Sequence, residues 1–427
     1  NVDMSKIIEN DYSLNMNLFR EITLNVSKDF KVVKLGDIIT GFKTGKYIPN
    51  TNGSLYPYYN SNGIIGNMDT FMFEGEYIIQ ASSGSGVDKN TFYYNGKFNA
   101  TNFTTVFTTT DNCLPKYLYY YIKLKINLKK DCCNTSTIPN IDKKVLSIMP
   151  IPLPPLDIQT RIVEQLDNIY ENEIANSKKI IEGLETSIQT IMHNTLYRED
   201  LTKYKIRELC KVKRGNLVDK SSNEEDNIYP YYAGKGLSGY VPSYKFEGEC
   251  IMMNYRLSLG ASRPCIYIKE GKYNCSRFSW VITNSSTHEM KYLFYYFNSN
   301  ITYDNLLQGS TILEINQKNL GRYKLNIPPL DIQKQILTQI EPKEALISAL
   351  KNNITSAEQE AKDIMNQLFT TTETHDKNTT DKTESSESVN TINFPEPTRE
   401  SIMEDLNMNT KPKKKKQKKK VVVSNNQ

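Results

Sequence analysis

The side chains that most often build metal centres and nucleophiles are scarce here. The histidines are only His193, His288 and His375, too few for a histidine-based triad or a histidine-rich metal site. The seven cysteines (Cys113, Cys132, Cys133, Cys210, Cys250, Cys265 and Cys275) are odd in number and form no C-x-x-C pair. That pattern predicts buried or inert thiols rather than a disulfide framework or a zinc site. "SGSG" at 83–86 reads as a tight turn or a close backbone approach to phosphate. No group of carboxylates with a lysine is spaced for nuclease chemistry. No catalytic residue, cofactor site or metal site is therefore assigned.

The chemistry the sequence does offer is that of polar and cationic side chains placed to contact a polyanion. By type and placement, the candidates in the first half are Lys43, Lys46, Tyr58, Asn60, Ser83, Ser85 and Asn102. In the second half they are Arg214, Asn216, Tyr231, Lys235, Asn254, Arg256 and Arg277. Amide side chains suit bidentate pairing with adenine, and guanidinium groups with guanine. Neutral surface drift is the competing account of any one of them.

These residues sit on a duplicated frame. "PPLDIQ" occurs at 154–159 and again at 328–333. "YPYY" at 56–59 recurs at 229–232, and "FEGE" at 73–76 recurs at 246–249. "GKFNATNF" from Gly96 parallels "GKYNCSRF" from Gly271, and "KYLYYY" from Lys116 parallels "KYLFYY" from Lys291. All offsets lie between 173 and 175, so one duplication explains the set. It also aligns Asn102 with Arg277. Each copy begins with short stretches rich in Tyr, Phe, Val, Ile and Thr, separated by Gly, Asn and Ser turns, plus one short apolar helix near 116–124 or 291–298. This predicts a small α+β globule with a curved, mostly antiparallel sheet. The period then changes. Ile181, Leu184, Ile188 and Ile191 step by three and four, as do Ile347, Leu350, Ile354, Ala357, Ala361, Ile364 and Leu368. Two such stripes predict two long helices packed on each other as a coiled coil. Prolines should end each preceding strand, and Asp157 or Asp331 should cap each helix. Gly183 weakens the first helix, and Pro342 should kink or interrupt the second.

Charge follows the same division. Residues 31–150 carry 13 basic and 8 acidic side chains, and residues 197–327 carry 19 and 13. The predicted helices are acidic, 3 against 7 in 157–196 and 4 against 6 in 331–369. The first globule has lysines only; the second has arginines, among them Arg207, Arg263 and Arg322. Two cationic heads on an acidic spacer suit a long polyanion. No stretch approaches the ~18 apolar residues of a membrane span.

The order of globule, "IPLPPLDIQTRIVEQLD", helix, globule, "IPPLDIQKQILTQIE" and helix resembles the specificity subunit of type I restriction–modification systems. "STIPNIDKKVLSIMPIPLPPLDIQ" and "FEGEYIIQASSGSGVDK" are similar to stretches of that family, and the resemblance covers about residues 30–369. It implies an α+β fold with two small target-recognition domains at 30–155 and 197–329, held apart by two long antiparallel coiled-coil spacer helices at 156–196 and 330–369, and a pseudo-twofold repeat. Each domain would read half of a bipartite site in double-stranded DNA. The helices would set the distance and dock DNA adenine-methyltransferase subunits, and a restriction endonuclease subunit can join. Catalysis would belong to those partners; the chain lacks the N-P-P-Y/F string with which such a methyltransferase holds a flipped adenine. Residues 1–29, with "IIENDYSLNMNLFRE", are similar to the end of an adenine methyltransferase subunit, so one alternative is the C-terminal specificity region of a fused methyltransferase or restriction enzyme. The other is a coiled-coil adaptor that binds no DNA. Residues 370–427 read as a disordered tail, whose "KPKKKKQKKK" run sets a nuclear or viral address against the cytoplasmic one that the family implies.

Overall fold

The computed structural model describes residues 24–26, 30–49, 53–133, 138–218, 224–234, 236–257, 261, 263–309 and 312–369. The segment similar to a methyltransferase end, the Lys-rich tail and Lys235 thus lie outside the described residues, apart from 24–26.

Each head closes on itself through a small sheet. Lys31–Lys34 pairs antiparallel with Pro150–Leu153, and Thr202–Lys205 with Lys324–Ile327. The last strand of each head therefore lies beside its first, and it is this last strand that runs into "PPLDIQ". The main sheet of the first head has six strands, in the order Lys43–Thr44, Thr104–Phe107, Phe73–Ala81, Thr91–Ala100, Tyr56–Asn60, Gly63–Met68. All pairs are antiparallel except Tyr56–Asn60 with Thr91–Ala100. Gly75 and Gly96 face each other across two strands with φ of +119° and +141°, conformations that side chains disfavour. Paired glycines bend both strands at once and curve the sheet. In the second head Gly248 and Gly271 take the same places, with the Gly248 N–H donating to the Gly271 carbonyl at 3.0 Å. The bend there breaks the strand, and the sheet divides into two four-stranded sheets. The predicted short helices are Pro115–Lys125 and Met290–Ser299, each burying a Tyr-rich face.

The first spacer helix runs through Leu156–Asp167, a π-wound segment Asn168–Ile174, and Ala175–Asn194. The second is one helix, Leu330–Asn366. Ile162 and Leu166 share a core with Ala361 and Ile364, whereas Ile181 and Ile188 share one with Ile336 and Ile347. The beginning of each helix thus lies against the end of the other, and the two pack antiparallel. Lys351 adds an ion pair to Glu185 at 3.6 Å. Each head packs on both helices, so each of the two large cores joins a head to the spacer. Val26 bridges Phe369, which brings the start of the first head to the end of the second spacer helix.

Two expectations about these helices need correction. Neither Asp157 nor Asp331 is an N-cap. Pro155 and Pro329 occupy that position, with ψ of 153° and 155° and no side-chain capping bond. The aspartates fall inside the first turn, where a carboxylate favours the positive end of the helix dipole, and Asp157 also pairs with Arg161 at 2.9 Å. Pro342 does not interrupt its helix, which continues for 24 residues to Asn366. The repeat aligns Pro342 with Asn168, where the π-wound segment of the other helix begins. Both helices thus lose regular hydrogen bonding at the same place, directly after the carboxylates Asp167 and Glu341 that the lysines of the heads reach.

The repeated string ends in a glutamine, and both copies are fully buried. Gln159 accepts from the Leu114 N–H at 2.8 Å and donates to the Pro154 carbonyl at 2.8 Å and the Asn112 carbonyl at 3.1 Å. Gln333 accepts from the Glu289 N–H at 3.0 Å, donates to the Pro328 carbonyl at 2.9 Å, and lies 2.6 Å from Nδ1 of His288. Each glutamine so ties three segments together: the strand end, the spacer helix and the start of the head's helix. A lysine reinforces each joint. Lys116 reaches Asp167 and Glu171, both at 2.7 Å, and Lys291 reaches Glu341 at 3.1 Å.

Candidate nucleic-acid interface

In each head four segments meet at a turn at one end of the sheet. The turn is 101–104 in the first head and 276–279 in the second. It is closed by Thr104 N–H to the Thr101 carbonyl (3.1 Å) and Ser279 N–H to the Ser276 carbonyl (2.9 Å). Lys46 N–H donates to the Ala100 carbonyl at 2.8 Å, and Asn216 N–H to the Cys275 carbonyl at 3.0 Å. Thr101 N–H reaches the Tyr59 carbonyl and Ser276 N–H the Tyr232 carbonyl, each at 2.8 Å. Ser82 N–H reaches the Phe103 carbonyl at 2.9 Å, and Tyr255 N–H the Phe278 carbonyl at 3.1 Å. Glycine makes the closest approach possible. A Cβ on Gly45 would lie 2.1 Å from the Ala100 carbonyl oxygen, and one on Gly215 would lie 2.2 Å from that of Ser276. The backbone frame is the same in both heads while the side chains on it differ.

On the first frame, Lys43, Lys46, Ser85 and Asn102 are exposed, and Asn60 and Ser83 are half-buried. Lys43 donates to the Tyr77 hydroxyl at 3.1 Å. Asn60 accepts from the Asn62 N–H at 2.7 Å and shapes the adjoining hairpin turn. Ser83 lies opposite Asn140. Tyr58 is a correction. Its ring is fully buried, and its hydroxyl donates to the Lys46 carbonyl at 3.0 Å and accepts from the Ile48 N–H at 2.8 Å. It holds the segment that carries Lys46 rather than facing outward.

On the second frame, Arg277 is exposed and occupies the place of Asn102. Arg214 is exposed but committed to its own turn: Nε donates to the Arg277 carbonyl at 2.9 Å, and the guanidinium also bonds the Tyr255 hydroxyl. Arg256 is half-buried and paired with Glu314 at 2.7 Å, at the bridge equivalent to Ser83–Asn140. Its guanidinium lies 4.2 Å from the ring centre of Phe278, and that of Arg277 lies 4.9 Å away. Tyr231 is half-buried, unlike Tyr58 at the equivalent position. Burial raises its hydroxyl pKa and the Arg277 charge partly offsets this. Asn216 and Asn254 are half-buried, and each has a buried Oδ1 with no partner among the described residues. A groove of about 440 Å³ opens beside the turn, lined by Arg214, Tyr255, Gln308, Glu314 and Gln317 among others.

The residue types alone missed Phe103, Phe278, Tyr255 and Glu314. The aligned strings "NATNF" and "NCSRF" contain the signal for the two phenylalanines, since both follow the variable residue of the turn. Tyr255 and Glu314 act through contacts distant in sequence and left no such trace. The thiols take no part in this site. Cys113, Cys132, Cys133, Cys210, Cys250 and Cys275 are buried, and burial pushes the Cys113 and Cys210 thiols up to about 12. Among the described residues no group of three or more His, Cys, Asp or Glu is placed to hold a metal, and no helix is long and apolar enough to cross a membrane.

Two heads of one plan, each presenting a variable turn on a fixed frame and joined by antiparallel helices, define a bipartite recognition protein. The profile of the type I restriction modification DNA specificity domain matches residues 27–186 and 198–359, and the chain belongs to that family. A putative type I restriction enzyme specificity subunit of Haemophilus influenzae is 24% identical over 334 residues, covering 70% of this chain and 82% of that protein. The type I restriction enzyme EcoDI specificity subunit of Escherichia coli is 26% identical over 396 residues, covering 77% and 84%. The crystal structure of a type I restriction–modification S subunit from M. genitalium shares the fold, with a TM-score of 0.51 at 16% identity over 83% of this chain and 99% of that one.

Proposed function

We propose that this chain is a DNA-recognition subunit of a type I restriction–modification system. Each head reads one half of a bipartite site in double-stranded DNA, with recognition domains at about 30–155 and 197–329. The spacer helices, at 156–196 and 330–369, act as a coiled-coil ruler and dock DNA adenine-methyltransferase subunits, with which a restriction endonuclease subunit assembles. Chemistry on DNA belongs to those partners, and the working compartment is the cytoplasm. The observation that carries the reading is the equivalence of the two turns. Identical backbone hydrogen bonds hold Asn102 in one head and Arg277 in the other, both exposed. A fixed frame with exchanged amide and guanidinium side chains is what reading two different base sequences requires.

The test is selection from random duplexes with the chain assembled with its methyltransferase partner. The expected result is a split motif with two unlike halves, and an affinity that falls steeply with salt. Failure to enrich any motif would refute the reading. Binding of another protein, insensitive to salt and to DNA, would favour an adaptor instead.

A further inference from the structure

The phenylalanine that follows the variable residue of each turn sits in two different settings. Phe278 lies against two guanidinium groups, at 4.2 Å from Arg256 and 4.9 Å from Arg277. Its ring serves as a platform that orients cations. Arg256 is anchored from behind by Glu314, so the platform is fixed on one side. In the first head the equivalent positions are Ser83 and Asn102, which bring no cation. Phe103 is left 51% exposed at the apex of the turn, next to Asn102. Tyr47 and Ile138, on neighbouring segments of the same head, are 61% and 63% exposed. One exposed apolar side chain needs no explanation. A phenylalanine held at a turn apex by the frame described above, beside the residue that faces outward, does.

We infer that Phe103 is a specificity residue that contacts the C5 methyl group of a thymine in the half-site of the first head. The inference rests on the reading of the heads as DNA-binding. A side chain adjacent to one that pairs with an adenine edge in the major groove meets the neighbouring base pair. The apolar group displayed there is the thymine methyl. The second head reads differently: Phe278 is half-buried, and its turn offers the exposed guanidinium of Arg277, suited to guanine. The two half-sites therefore differ in kind, one read by an amide and an apolar ring, the other by arginine.

The experiment uses the chain assembled with its methyltransferase partner and duplexes of its selected motif. Each thymine of both half-sites is replaced in turn by deoxyuridine, which deletes only the methyl group. At one thymine of one half-site the replacement weakens binding about fourfold, the factor supplied by burying one methyl group. The Phe103→Ala chain binds both duplexes equally at that position, and the Phe278→Ala chain keeps the difference. Thermal denaturation of Phe103→Ala is expected to match the parent, because the ring is exposed; the thymine replacements need no variant at all. Sequence-selective binding with no penalty at any thymine, or penalties that persist in Phe103→Ala, overturns the inference and leaves the DNA reading standing. Absence of any sequence-selective binding overturns the DNA reading, and the inference with it.

Discussion

Gln159→Leu tests the joint between head and spacer. Leucine fills a similar volume and removes every polar atom. Three groups then lose their partner: the half-buried Leu114 N–H, the buried Pro154 carbonyl and the Asn112 carbonyl nearer the surface. A buried group left unsatisfied costs about 1–3 kcal/mol. The N–H dominates, because a carbonyl keeps a second lone pair with which to find water or another donor. Against this, leucine is more easily desolvated than an amide. The net loss should be about 2–4 kcal/mol, equivalent to roughly a hundredfold in the local opening equilibrium. Hydrogen exchange at the Leu114 amide reads that number directly, and the expected result is exchange faster by about two orders of magnitude. Urea denaturation should show the first head unfolding at lower denaturant. Functionally, a looser joint lets the head lean on its rod, so selection with Gln159→Leu should enrich half-sites at a wider range of separations than the parent. Unchanged Leu114 exchange together with an unchanged urea midpoint would refute the assignment of the glutamine as the tie.

His288 predicts an acid sensitivity confined to the second joint. Burial lowers its pKa, and with the Gln333 amide donating, Nδ1 must be the unprotonated nitrogen. A depressed folded pKa means the unfolded chain binds the proton more readily. Stability at this joint is therefore complete above about pH 6.5 and falls as the pH drops below that value; denaturation followed between pH 7.5 and 5 should show the loss, and His288→Asn should flatten it. Arg277→Ala should lower discrimination at one guanine by about 1–3 kcal/mol, and Asn102→Ala should do the same at one adenine of the other half-site, both read by selection. Lys46→Ala should weaken binding nearly equally across sequences and reduce the salt slope. Tyr58→Phe removes two partly buried hydrogen bonds of the frame and should cost about 1–2 kcal/mol of stability in urea, with the selected motif unchanged.

The duplication was legible in sequence because strings survive in both copies, and the helices were legible because an apolar stripe has one period. Their pairing follows from the stripes and their antiparallel sense from the family resemblance, yet which end meets which head needed the structure. Candidate contacts chosen by residue type fared unevenly, for a physical reason. Types report what a side chain can do, not which way the strand turns it. Tyr58 and Tyr231 share the same "YPYY" string; one is fully buried and the other half-buried. Arg256 reads as a free cation until Glu314, 58 residues later, is brought to 2.7 Å. Asp157 reads as a helix cap because it precedes a helical stripe, but the helix begins earlier, at a proline whose extended ψ already suits the capping position.

The repeated hexapeptide shows why the sequence keeps certain letters and frees others. Its prolines end a strand that belongs to the head, and its glutamine ties the next helix back to that same head. A joint that must hold a fixed angle needs buried polar bonds, since apolar packing alone tolerates sliding. The turn that faces outward has the opposite requirement. Its bonds are made by the main chain and by neighbouring side chains such as Thr104, Arg214 and Ser276, and none uses the side chain of Asn102 or Arg277, so they place no demand on those two. The fold therefore separates two tasks within each head. Geometry is fixed at the joint by one amide, and the surface at the far turn is free to change without cost to that geometry. Exchanging Asn102 for Arg in the first head should accordingly leave the Leu114 amide protected while shifting the base preferred at one position. A loss of protection at Leu114 in Asn102→Arg would show instead that turn and joint are coupled.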